Sequence, residues 1–235
     1  MKHTALIIAL LLTAAGCGVS WSKWSTESAT STQPTDAEAS RGPNAGAYAS
    51  YSNGEIKFLD SAPANTAPVP GISALTFTKP DGTPTKLQEF LGKKYVVLVV
   101  TRGNTAYVCP YCSTQTARLI SAYDEFAQRG AEVVLVYPVE AASDSTRLEA
   151  FLSNVRGQLG DPNRPVPFPV VLDVQLQAVD QLGIRRDLSK PATYIIDPTG
   201  EVRYAYVGSH LADRPSVKAV LQQLDQLESG KGGGA

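Results

Sequence analysis

Two cysteines three positions apart, Cys109 and Cys112, with Pro110 and Tyr111 between them, are the residues best suited to carry chemistry in this chain. A thiol is nucleophilic as its thiolate, so what matters is whether the surroundings favour that anion. The run Tyr95–Val100 ahead of the motif reads as a buried strand, and Thr116–Gln128 behind it reads as a helix. The motif therefore opens a helix, where unpaired N–H groups and the positive end of the dipole stabilise an anion. A thiolate there has its pKa lowered from about 8.5 into the range of roughly 3.5 to 7.5. Cys109 is the expected nucleophile. Cys112 falls on the same helical face, with Cβ atoms about 5–6 Å apart, close to disulfide geometry. It is the expected resolving thiol, attacking any mixed disulfide formed on Cys109. Pro110 suits the first turn, where its missing N–H costs nothing. A static bridge closing so short a loop would constrain the unfolded chain little. Making and breaking a Cys109–Cys112 disulfide, with no other cofactor, is the chemistry expected.

The remaining counts exclude other chemistries. The 235 residues include three Cys and two His, and His3 lies in a segment expected to be removed. A structural zinc site takes four N or S ligands, which would consume every such residue left: Cys17, Cys109, Cys112 and His210. No metal is expected. A formal net charge of −1 offers no basic face for phosphates, so nucleic acid is not an expected partner. With 43% hydrophobic and 18% charged residues, the chain can bury a core.

The elements that must position the motif come next. Met1–Lys2–His3 and the apolar run Ala5–Ala15 match a signal peptide over residues 1–16, too short to span a bilayer. It ends in Ala14-Ala15-Gly16-Cys17, which resembles the bacterial lipobox. In that family the Cys is acylated and becomes the first residue. An exported protein, anchored to a membrane through Cys17 on the periplasmic face, is expected, with the outer membrane open in a Gram-negative cell. Residues 17–70 are rich in Ser, Thr, Ala, Pro and Gly and read as a flexible tether. Ile56–Leu59 is the apolar patch in it, positioned to pack on the edge of the domain.

Residues 71–228 read as one domain, followed by a loose tail over 229–235. Its elements are a strand near Leu75–Thr78, a short helix over Leu87–Leu91, the buried strand Tyr95–Val100, and the helix ending before Gly130. A second buried strand, Val133–Tyr137, closes a βαβ unit. Then follow a helix over Ser145–Leu159, a short strand or extended edge at Val170–Leu172, and a helical turn or two over Leu176–Leu182. A hairpin of Tyr194–Asp197 and Val202–Val207 turns about Asp197-Pro198-Thr199-Gly200, and Val217–Leu227 closes as a helix.

The Leu75–Leu91 opening with its Asp81-Gly82 turn, the Cys109–Cys112 motif, and Pro191-Ala192-Thr193-Tyr194-Ile195-Ile196-Asp197 with its hairpin together resemble the thioredoxin superfamily. More narrowly, they resemble its alkyl hydroperoxide reductase/thiol-specific antioxidant (redoxin) branch. The resemblance implies an α/β thioredoxin-like fold, a central mixed sheet flanked by helices. It also implies that Pro191 is cis, faces the CxxC motif and exposes a backbone edge for substrate. The acid that thioredoxins carry on the central strand has no counterpart in Tyr95–Val100. The chain thus leaves open what deprotonates Cys109.

The resemblance carries two enzymatic readings. The first is an extracytoplasmic thiol–disulfide oxidoreductase acting on protein or small-molecule disulfides with an unidentified thiol donor or acceptor. The second is a thiol peroxidase, passing through a Cys109 sulfenic acid resolved by Cys112. Peroxiredoxins place Thr or Ser three residues before the catalytic Cys; Ala106 stands there, with Thr105 one step earlier, and Arg102 occupies the slot of an upstream Pro. Arg185 or Arg186 is the candidate guanidinium, with surface solvation the plainer reading of both. The incomplete pocket favours exchange. A non-enzymatic binding protein on a vestigial redox fold is the third reading.

Overall fold

Odd and even residues of Tyr95–Val100 point to opposite sides, as in any strand, and here both sides are buried. Val97 and Val99 join one core cluster, while Val96, Leu98 and Val100 join the other. This strand is the middle of a computed structural model that describes residues 56–103 and 107–231. The signal segment, Cys17, the tether up to residue 55, Thr105 and residues 232–235 lie outside the described residues.

In chain order the strands are β1 (Thr76–Thr78), β2 (Pro84–Lys86), β3 (Tyr95–Val100), β4 (Ala131–Val139), β5 (Val170–Val174), β6 (Ala192–Ile196) and β7 (Val202–Val207). The helices are α1 (Pro110–Ser121), α2 (Tyr123–Gln128), α3 (Thr146–Leu159), α4 (Gln177–Gln181) and α5 (Val217–Lys231). One seven-stranded sheet runs β2-β1-β5-β4-β3-β6-β7. The β3, β4 and β5 strands are parallel, and β1, β6 and β7 join through antiparallel pairings. This is the mixed sheet with flanking helices expected of a thioredoxin-like fold.

Several boundaries move for physical reasons. The helix expected over Thr116–Gln128 starts at Pro110 and is interrupted at Ala122, whose φ of −104° and ψ of 12° leave the helical region. Val170–Val174 is no edge; β4 pairs along it and β1 caps its other side through Thr78 and Leu172. The β2 strand has a Pro and a single buried residue, Thr85, so neither alternation nor apolarity marks it. Upstream, packed chain extends to Ile56, well before residue 71. Ile56 and Ala62 are buried, the Tyr204 hydroxyl donates to the Ala62 carbonyl at 2.9 Å, and Asn65 bonds the backbone of Val207.

The sheet ends matter for the site. The chain leaves β3 through Thr101, whose N–H donates to the Val136 carbonyl, and then Arg102 and Gly103. Gly103 has a φ of +80°, and a Cβ on it would sit 2.6 Å from the Pro138 carbonyl oxygen. Glycine lets the chain turn there against β4.

Candidate active site

Cys109 is the N-cap of α1 and Pro110 its first helical residue. The Ser113 N–H donates to the Cys109 carbonyl at 3.0 Å, which closes the first turn and puts Cys112 on the same side. The motif opens a helix, as its spacing suggests. Both cysteines are free thiols and each is 1% exposed. Val108 and Tyr111, half-buried, pack against the same core cluster.

The groups that stabilise charge converge on Cys112. The Arg102 backbone N–H donates to its sulfur at 3.4 Å, and Arg214 Nη2 at 3.2 Å. The Cys109 thiol donates to it as well. Burial alone would push the Cys112 thiol up, but the bond from Cys109 and the Arg214 charge outweigh it, and its pKa falls to about 5. The bond it donates to Cys112, together with burial, pushes the Cys109 thiol well up. The resting pair therefore shares one proton and carries one negative charge, which the Arg102 N–H and Arg214 contacts favour on Cys112. The helix terminus argues for a charge on Cys109; the side-chain contacts move it one turn inward.

Arg214 is the residue that sequence reasoning missed. It is 1% exposed, and its guanidinium also donates to Gln115 Oε1 at 2.6 Å and the Leu211 carbonyl at 2.7 Å. Arg185 instead pairs with Asp180 at the surface, and Arg186 donates to the Ser209 carbonyl. The plainer reading of those two was correct. Arg102 lies at the rim, where its Nη2 meets Asp187 Oδ2 at 2.8 Å and its guanidinium rests 5.6 Å from the centre of the Tyr107 ring. Thr105 lies outside the described residues.

Pro191 precedes β6, in which Ala192 pairs with Val100, so it stands at the sheet end from which Arg102 reaches Cys112. Its expected cis bond is absent: no peptide bond among the described residues is cis. Its carbonyl is engaged by the Gly208 N–H at 2.8 Å, as the β6–β7 ladder continues past its end. Gly208 is held close: a Cβ there would lie 2.1 Å from the Asp213 carbonyl oxygen and 2.8 Å from Pro191 Cγ. Pro191 thus packs against the loop that carries Arg214. Among the described residues, no group of three or more His, Cys, Asp or Glu is placed to hold a metal ion.

The model of the AhpC/TSA family matches residues 61–205. The chain belongs to this family. The family is one of oxidoreductases of the redoxin, peroxiredoxin-like type. Similarity to the chloroplastic peroxiredoxin Q of Triticum aestivum is 27% identity over 135 residues, 56% of this chain and 54% of that protein. The chain thus spans about half the length of the curated relative it matches. Among solved structures, peroxiredoxin 6 of Arenicola marina superposes with a TM-score of 0.59 at 18% identity, covering 71% of this chain and 76% of that one. The yeast mitochondrial 1-Cys peroxiredoxin gives 0.59 at 15% identity, covering 72% and 79%. These likenesses identify the fold as thioredoxin-like.

Proposed function

We propose that this protein is a two-cysteine thiol peroxidase in which Cys109 is oxidised and Cys112 resolves. The observation that carries this reading is the Arg214 guanidinium set on the Cys112 sulfur beside Cys109 at the helix start. The Arg102 N–H and the Arg214 guanidinium hold Cys112 as the thiolate toward which the Cys109 thiol donates. Cys109 makes the attack. As its sulfur bonds the terminal peroxide oxygen, its proton passes to Cys112, the O–O bond breaks, and the leaving alkoxide takes that proton back as an alcohol. Cys112, again a thiolate, attacks the sulfenic sulfur; the S–S bond forms and hydroxide leaves, to be protonated by solvent. An external dithiol then reduces the disulfide and is itself oxidised. Cys112 thereby serves as the base for which β3 supplies no acid.

Burial also separates the two enzymatic readings. With each sulfur 1% exposed, a peroxide needs far less opening than the disulfide of a folded protein. Thiol–disulfide exchange is the second reading, favoured by the closeness of the two cysteines within one helical turn. The test is to mix the reduced full chain with hydrogen peroxide or with a protein disulfide. Peroxide oxidation far faster than that of a free thiolate of equal pKa is expected. Ordinary peroxide reactivity with rapid disulfide exchange would overturn the peroxidase reading.

We also propose that the enzyme works outside the cytoplasm, anchored through an acylated Cys17. The apolar segment ending in Ala14-Ala15-Gly16-Cys17 supports this. Cys17→Ala should move the protein from the membrane to the soluble fraction; unchanged partition would sink the anchor.

A further inference from the structure

Arg214 lies outside the residues that match the family model, and so does the segment that holds it in place. Leu59 donates its N–H to the Arg214 carbonyl at 2.9 Å, and its own carbonyl accepts the Ser216 N–H at 2.8 Å. The two segments thus form a parallel bridge, Leu59 against Pro215, that grips the backbone on both sides of Arg214. The gripping segment is in turn fixed to the cysteine helix. Arg118 of α1 donates to the Ile56 carbonyl at 2.6 Å and stacks its guanidinium 5.1 Å from the centre of the Phe58 ring. Ile56 is buried, whereas the Leu59 side chain is 40% exposed. What Leu59 contributes is therefore its backbone.

We infer that residues 56–59 form a strap that positions Arg214 on the Cys112 sulfur, making Leu59 a positioning residue for the redox pair through its main chain. The guanidinium must satisfy Leu211, Gln115 and Cys112 at once, which a planar fork does only from one backbone placement. Fixing that placement from a segment upstream of the family match couples the tether side of the chain to the charge at its catalytic centre. The inference deepens the proposed function, since it names what places the charge partner. It depends on the Arg214–Cys112 contact and not on peroxide being the substrate.

The experiment uses the reduced full chain and follows ultraviolet thiolate absorbance against pH. The measurement is made in a Cys17→Ala background, so that Cys109 and Cys112 are the thiols read. Leu59→Pro deletes the N–H to Arg214, and Leu59→Ala keeps it while removing the exposed side chain. The low step is expected to rise by roughly one pH unit or more in Leu59→Pro, a tenfold loss of thiolate at a fixed acidic pH, and to stay put in Leu59→Ala. Phe58→Ala, which loosens the strap from Arg118 while leaving the backbone bridge intact, should give a smaller rise and serves if Leu59→Pro fails to fold. A low step unmoved in a folded Leu59→Pro, or in Phe58→Ala where Leu59→Pro is unfolded, overturns the strap. Peroxide turnover of the wild-type chain is measured alongside. Its absence with a shifted step would remove the peroxidase reading and leave the strap standing.

Discussion

The proposed roles of Cys109 and Cys112 rest on residue type and spacing, which a sequence displays, whereas that of Arg214 rests on a contact, which it does not. A lone arginine in the stretch Leu211–Pro215 reads as a solvated loop residue, and only the folded chain shows it buried against a sulfur. Its removal should be felt at the charge. Arg214→Met leaves a buried thiolate with no cation, so Cys112 should be protonated at neutral pH and peroxide oxidation should fall by about 10²-fold or more, as when a preorganised donor is lost. Arg214→Lys keeps the charge but not the planar fork and should lie between; stopped-flow oxidation across pH reads both. The proposed function divides the two cysteines by role. Cys109→Ser should abolish peroxide reduction, whereas Cys112→Ser, which removes base and resolving thiol together, should oxidise slowly and keep the Cys109 sulfenic acid that does form, as a dimedone-type probe reads. A labelled Cys112 in the Cys109→Ser variant would reverse the assignment.

At the scale of elements, β3, β4, the hairpin and the closing helix could be read from apolar runs and turn residues, because each is specified by its own sequence. The elements that escaped are specified by neighbours. The β2 strand exists because it pairs with β1, and β5 is interior because β1 reaches it through one residue. The tether boundary failed likewise: Ile56–Asn65 has the composition of a linker, yet it is held by backbone bonds to Arg214 and Ala205. Gly103 follows β3 at a positive φ, packed against β4, and it offers a test at this scale. Gly103→Ala places a Cβ 2.6 Å from the Pro138 oxygen and forces a φ of +80° on alanine. The variant should lose about 1–3 kcal/mol by urea unfolding. Because Arg102 is its neighbour, the N–H aimed at Cys112 should shift, and the low thiolate step should rise.

For the whole molecule, the redox pair ties the protonation of one sulfur to the stability of the fold. In the unfolded chain both thiols titrate near 8.5, whereas in the fold Cys112 titrates at about 5 and Cys109 well above its ordinary value. Between about 5 and about 8.5 the unfolded state binds one proton more than the native state, so stability must rise with pH there. Above about 8.5 the native state keeps the Cys109 proton that the unfolded chain has lost, and the sign reverses. The pair's contribution should thus peak near 8.5, vanish as pH falls through about 5, and decline in alkali. Urea unfolding of the reduced protein, taken as the difference from a Cys109→Ser/Cys112→Ser double variant, isolates it from the carboxylates. A flat difference would mean that the two sulfurs do not share one proton. A maximum lost in Arg214→Met but kept in Leu59→Ala would place the origin of the coupling in the guanidinium, fixed between the strap and the cysteine helix.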